Sequence, residues 1–339
     1  MKSKLTAKPL IFGISGSSLT EAERNFFSTR LVIGFILFKR NIESEEQLHT
    51  LVKDLRGLYL EKKILIFVDQ EGGRVARLKP PLIAEEYPEA QFFCQTYLKE
   101  GSKKAIEITR NSYKKLMNDL KKYDIDSPCC PVADLRFDFA DQIIGDRSFG
   151  KTNNQVVDLC KAAISGIEEA EGIPIIKHIP GHGRALCDSH LKLPRVETQL
   201  EELNNTDFKV FRQLSPSVKW AMTAHILYDC LDPELPATLS QKVINFIRDK
   251  IGFQGIIVTD DICMLALHGK IGEQYFEAKN SLDKGHEEIN TLKQLFIESL
   301  VSVTKKSIAA GCNVVLHCSG DIDEIHAVYK AITNSRVKI

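Results

Sequence analysis

The sequence predicts an α/β fold of the (β/α)8 TIM-barrel type, built as a single domain over residues 1–339. Short β-branched runs recur along the chain. Each ends in a polar residue and is followed by a stretch of helical period, the alternation of parallel β/α units. Eight such runs occur with no Pro/Gly/Ser-rich linker between them, which favours a closed barrel. An open doubly wound sheet is the alternative arrangement of the same units.

In chain order the expected strands are Leu10 to Ser15, Ile33 to Phe38, Ile64 to Asp69 and Asp124 to Val132. They continue with Pro174 to His178, Trp220 to His225, Gly255 to Asp260 and Asn313 to His317. The intervening stretches are long enough for helices. In one, Val156, Leu159, Cys160, Ala163, Ile164 and Ile167 fall on a single helical face behind a capping Thr152-Asn153. Residues 269–293 are rich in Lys, Glu and Asp and read as a polar surface insertion or loop after the seventh strand.

Composition narrows the partners. The 45 basic and 45 acidic side chains cancel, and no block of like charge would concentrate a phosphate backbone or an anionic membrane surface. Nucleic acid and membrane are therefore not expected partners, and oligomeric state is not legible. The apolar run from Pro9 to Ile14 is broken by Ser15-Gly16-Ser17-Ser18, too short for a signal-peptide core. No stretch approaches the roughly 18 apolar residues of a membrane helix. The nine cysteines are an odd number without a CxxC spacing, consistent with free thiols in a reducing compartment. The expectation is a cytoplasmic protein.

In a barrel, chemistry sits at the C-terminal strand ends. Here the third strand ends in Asp69, the fifth in Lys177-His178, and the seventh in Thr259-Asp260-Asp261. Each alone reads as a helix cap or loop ion pair; three on different strands converge. The segment from Lys177 to His190 is the densest. Its glycines and Pro180 make a loop, and Asp188 and His190, two apart, project to the same side of an extended backbone. A carboxylate there can hold one imidazole nitrogen and raise the basicity of the other. A solvated loop with a local Asp-His contact is equally compatible. His178, His182, Asp188 and His190 are also metal-ligand types, but their spacing matches no zinc signature. Around Asp69-Gln70-Glu71-Gly72-Gly73-Arg74-Val75-Ala76-Arg77, carboxylates and guanidinium groups suit vicinal hydroxyls, whereas a surface turn with ordinary ion pairs is the plainer reading.

These residues resemble the family 3 glycoside hydrolases, specifically the bacterial single-domain β-N-acetylhexosaminidases. The resemblance rests on Ile36-Leu37-Phe38-Lys39-Arg40-Asn41, Asp69 to Val75, Ile144-Gly145-Asp146-Arg147-Ser148-Phe149-Gly150 and Lys177 to Gly183. It continues through Asp188-Ser189-His190, Met222-Thr223-Ala224-His225, Pro236 to Ser240 and Val258-Thr259-Asp260-Asp261. The resemblance implies a retaining exo-β-N-acetylglucosaminidase acting on GlcNAc-1,6-anhydro-N-acetylmuramic acid peptides. Asp260 would be the nucleophile, and His190, oriented by Asp188, the acid and base. Asp69, Arg77, Arg147, Lys177 and His178 would bind the nonreducing sugar, and neither metal nor organic cofactor is implied. Two features depart from the family pattern: Asn313 stands where an aspartate is usual, and residues 269–293 are inserted. A phosphorylase, a catalytically silent sugar-binding homologue and a metal-dependent hydrolase are the competing readings.

Overall fold

A computed structural model describes residues 7–59, 63–189, 192–281 and 285–332. Its centre is a curled, fully parallel sheet of seven strands. The strands in chain order, with the short pairs included, are β1 (Lys8–Gly13), β2 (Val32–Leu37), β3 (Leu65–Val68), β4 (Gln70–Gly72), β5 (Val75–Ala76) and β6 (Ile175–Ile179). They continue as β7 (Arg195–Val196), β8 (Trp220–Thr223), β9 (Leu227–Tyr228), β10 (Ile256–Asp261) and β11 (Val314–His317). The sheet order is β3-β2-β1-β11-β10-β8-β6, while β4 with β5 and β7 with β9 form separate two-stranded pairs.

Strand alternation divides the interior in two. Ile11, Ile33, Phe67, Ile175, Trp220, Val258 and Val314 meet in a cluster on the concave side. Their neighbours Leu10, Phe12, Ile66, Ile176, Ile257 and Val315 face the other way, into the core under the helices. A sheet buried on both faces explains the near-continuous apolar strands of the sequence. The helix Asn153–Glu169 forms as its pattern predicts. Thr152 caps it in a capping box with Gln155, and its six periodic apolar residues are all buried.

Seven of the eight expected strands form; the fourth does not. Segment 126–133 lies between the two edges of the sheet and bonds to both. Val68 donates to the Ser127 carbonyl at 3.0 Å and Ile175 to the Cys130 carbonyl at 2.9 Å. These contacts amount to isolated bridges, Phe67 with Ser127 and Val132 with Lys177, instead of a ladder. Pro128 and Pro131 have no N–H to donate, and Cys129 sits at a φ of 49°, outside strand geometry. An eight-stranded ladder is thus replaced by seven strands and an irregular tie.

Residues 269–293 also depart from expectation. They carry the helix Gly269–Asn280 and the start of the helix His286–Ala310. Tyr275 and Ala278 are buried, and Tyr275 stacks on Phe296 at 5.0 Å. The charged residues that read as a loop are good helix formers whose few apolar positions suffice to anchor one face.

The departure at Asn313 is absorbed locally. Its Oδ1 accepts from Arg248 Nη2 at 2.6 Å and from the Ile257 amide at 2.8 Å, so it still ties β10 to β11. Among the described residues Arg248 has no carboxylate partner, and burial pulls its guanidinium pKa down. Asn313→Asp places a carboxylate beside Arg248 at the same position. The expected result is a melting temperature raised by about 1–3 °C at neutral pH, discounted for a half-exposed pair. A carboxylate so paired has a depressed folded pKa, so the gain is lost as pH falls below the ordinary aspartate value of about 3.9. An unchanged or lower melting temperature would count against this account.

Candidate active site

The C-terminal ends of the sheet strands open on a cavity of about 190 Å³. Asp69, Arg77, Arg147, Lys177, His178 and Asp260, from four separate stretches of chain, all line it. The sequence-based convergence at strand ends is therefore present.

One wall is a buried ionic network. Glu71, on β4, takes a bidentate pair from Arg147, Nε to Oε2 and Nη2 to Oε1, both at 2.8 Å. Lys177 Nζ reaches Glu71 Oε1 at 2.7 Å and Asp69 Oδ1 at 3.3 Å, and Arg77 Nη2 reaches Asp69 Oδ2 at 3.0 Å. Burial pushes the Glu71 carboxyl upward, but the Arg147 guanidinium and the Lys177 ammonium outweigh it and hold it well below the usual range. Burial likewise pulls Lys177 down, and Glu71 and Asp69 more than restore it, so the ammonium stays charged. The result is a rigid array of fixed donors and acceptors, suited to hydroxyl groups.

Two irregularities re-aim side chains into the cavity. On β6 the partners of Lys177 and Ile179 are the consecutive residues Met222 and Thr223 of β8, which leaves His178 as an extra residue. Strict alternation would send Lys177 and His178 to opposite faces; the bulge lets both line the site. On β10 the register against β11 also shifts between Val258 and Asp261. Thr259 Oγ1 accepts the Leu316 amide at 2.9 Å and so repairs the interrupted ladder.

The two aspartates of β10 differ in their ties. Asp261 Oδ1 accepts the Cys263 amide at 3.0 Å and the Cys318 amide at 3.1 Å, which commits it to the backbone. Asp260 Oδ1 accepts the Asp261 amide at 2.8 Å, while Oδ2 lies 3.9 Å from His178 Nε2. The other edge of that imidazole, Nδ1, meets Asp134 Oδ2 at 2.7 Å.

The loop after β6 packs on the segment 133–137. A Cβ at Gly183 would lie 1.9 Å from the Leu135 carbonyl, so only glycine permits that approach. Arg184 is buried with Asp207 at 2.8 Å and stacks over Phe137 at 4.2 Å. His182 Nε2 meets Ser189 Oγ at 3.0 Å, and burial, with His178 nearby, lowers its pKa to about 4. Asp188 is half-buried and is not among the cavity-lining residues; His190 lies outside the described residues. Among the described residues, Cys263, His317 and Glu324 hold possible metal-ligand atoms within 4.8 Å of one another. His317 Nε2 is bonded to Glu324 at 3.1 Å, and its buried Nδ1 has no hydrogen-bond partner among the described residues.

Sequence reasoning passed over Asp134 and Ser189 as site groups, and read Glu71 only as one carboxylate of the Asp69 to Arg77 stretch. The available signal for Asp134 was its place two residues beyond the expected fourth strand, which ends at Val132. The part of Glu71 as the shared counter-charge had no local signal, because it depends on Arg147 and Lys177 arriving from 76 residues away and beyond.

The Glycosyl hydrolase family 3 N terminal domain matches residues 10–339. A β-hexosaminidase of Tolumonas auensis is 36% identical over 265 residues, 76% of this chain and 74% of the relative. One from Haemophilus influenzae is 33% identical over 278 residues, 81% and 77% of the two chains. In structure, NagZ of Neisseria gonorrhoeae in complex with N-trifluoroacetyl-D-glucosamine superposes with a TM-score of 0.81 at 29% identity, covering 97% of this chain and 86% of the other.

Glu71→Gln keeps the shape but leaves two buried cations short of one negative charge. It is expected to lower unfolding free energy by about 3–5 kcal/mol, measured by urea titration. The wild-type contribution is present above glutamate's ordinary pKa of about 4.3 and decays as pH falls below it, because the folded pKa is depressed. A loss below about 1 kcal/mol would sink the assignment of Glu71 as the counter-charge.

Proposed function

The chain belongs to glycosyl hydrolase family 3 and is a glycoside hydrolase of the β-hexosaminidase kind, and on that premise we propose that it is a retaining exo-β-N-acetylglucosaminidase. The observation that carries the reading is the Asp260 carboxylate at the end of β10, lining the same cavity as the Asp69, Arg77, Arg147, Lys177 and His178 array. The N-acylglucosamine bound to the Neisseria relative supports a sugar of this class in the cavity.

In the proposed reaction the array holds the hydroxyls and N-acetyl group of the nonreducing sugar. Asp260 attacks the anomeric carbon, the glycosidic bond breaks, and the leaving oxygen takes a proton from His190, which Asp188 orients. A covalent glycosyl-enzyme results. Water then attacks the same carbon, gives its proton to His190 and releases Asp260 as a carboxylate. A histidine that has given up its proton is neutral, unlike a carboxylate acid. The proposed substrates are GlcNAc-1,6-anhydro-N-acetylmuramic acid peptides from peptidoglycan, handled in the cytoplasm without a metal or organic cofactor. Among the described residues no helix is long and apolar enough to cross a membrane. The reading treats the curled sheet and segment 126–133 together as one TIM-type catalytic domain, since both sheet edges bond to that segment.

The deciding experiment is cleavage of an aryl β-N-acetylglucosaminide beside the matching β-glucoside, with and without phosphate and a chelator. Release of GlcNAc from the first alone, indifferent to both additives, supports the reading. A sugar 1-phosphate in phosphate buffer points to a phosphorylase, loss on chelation to a metal-dependent hydrolase, and no cleavage to a silent homologue.

Asp260→Asn is expected to abolish turnover, a loss on the order of 10⁴-fold or more in kcat, with an unchanged melting curve. Wild-type-like turnover would remove Asp260 as nucleophile. For His190→Ala the loss should shrink on aryl glycosides with good leaving groups, which need less protonation; a uniform loss across leaving groups speaks against a general acid.

A further inference from the structure

We propose that Asp134 is a positioning residue that keeps the ring proton of His178 on Nδ1, so that Nε2 faces the cavity as a hydrogen-bond acceptor. The inference rests on the function proposed above and deepens it by assigning a second-line group behind the sugar array.

The carboxylate is buried, 1% exposed, and three donors converge on it. The His182 amide donates to Oδ1 at 2.6 Å, the His178 amide reaches both oxygens at 3.2 Å, and His178 Nδ1 lies 2.7 Å from Oδ2. Burial raises the Asp134 pKa, but the His178 ring and the His182 amide outweigh it, so the group is ionised. An ionised carboxylate has no hydrogen to give, so Nδ1 must donate. In the neutral ring Nε2 then carries a lone pair on the cavity wall, 3.9 Å from Asp260 Oδ2. It accepts from a substrate hydroxyl there. The opposite tautomer would present an N–H that competes for Asp260 and weakens it as a nucleophile.

The geometry also dictates what an amide would do. In Asp134→Asn the amide oxygen stays with the two backbone N–H donors, because the nitrogen cannot accept from them. The NH₂ group then faces His178 Nδ1, and the ring must move its proton to Nε2. Reversing a tautomer in this way costs a serine-protease triad about 10⁴-fold.

The test is the ¹⁵N spectrum of the histidine rings at about pH 8, above the ordinary imidazole range, with the His178 signals assigned by their loss in His178→Gln. The expected wild-type ring is neutral and protonated at Nδ1, and that of Asp134→Asn is protonated at Nε2. A wild-type ring protonated at Nε2 or at both nitrogens overturns the proposal, as does a variant that keeps the proton on Nδ1. On an aryl β-N-acetylglucosaminide the variant is expected to lose on the order of 10³-fold in kcat/KM, with a fall in kcat as well as a rise in KM. A merely structural role would lower the melting temperature and leave the tautomer unchanged. Should the variant fail to fold, the wild-type spectrum still decides. Should the enzyme cleave no hexosaminide, the functional reading falls while the spectrum decides the tautomer independently.

Discussion

The whole site depends on holding Glu71, Arg147 and Lys177 out of water without leaving any uncompensated, with half-buried Asp69 and Arg77 beside them. Asp69, Glu71, Arg77, Arg147 and Lys177 achieve this by sharing partners, with Glu71 between Arg147 and Lys177 and Asp69 between Lys177 and Arg77. Removing water from an ion costs several kcal/mol, so each group tolerates burial only while its neighbours are in place. The same coupling fixes geometry. A lysine or arginine alone has ample rotamer freedom, but a cation bonded to a buried carboxylate has little, and a sugar can be read only by groups already in position.

Around this network the backbone is shaped to deliver polar groups that regular strands would not. The bulges at His178 and near Asp260 occur at the strand ends, where the ladder is interrupted at least cost and an extra residue can turn toward the cavity. Asp134 joins the irregular segment to this machinery, since its carboxylate takes the backbone amides of His178 and His182 as well as the His178 ring. The prolines that deny segment 126–133 a regular ladder thus sit just before the residue that organises the histidines. The loop after β6 leans on the same region through Gly183 and Arg184.

The surroundings show how far a local departure can be tolerated. Asn313 stands where the resemblance leads one to expect an aspartate, and its oxygen bonds Arg248 and the Ile257 amide, so β10 and β11 are tied without a charge there. The polar stretch 269–293 becomes helical because Tyr275 and Ala278 find a buried face against the helix His286–Ala310.

Much of this was legible in the sequence. Short β-branched runs located seven strands, and a 3.6-residue period the capped helix at 153–169, because both report burial directly. Polar residues at strand ends located Asp69, Lys177, His178 and Asp260, because parallel strands necessarily bring their C-terminal ends together. The tertiary structure alone decided the rest. Asp260 and Asp261 both line the cavity, and that Asp261 is taken up by the Cys263 and Cys318 amides depends on a register shift that local pattern does not encode. Glu71 matters only because Arg147 and Lys177 meet it across the fold, and Asp134 only because two histidines converge on it. The fourth strand failed because two prolines and a left-handed cysteine outweighed its apolar run. Local chemistry determines which segments are buried and which ends are polar; only long-range packing determines which buried charges become partners.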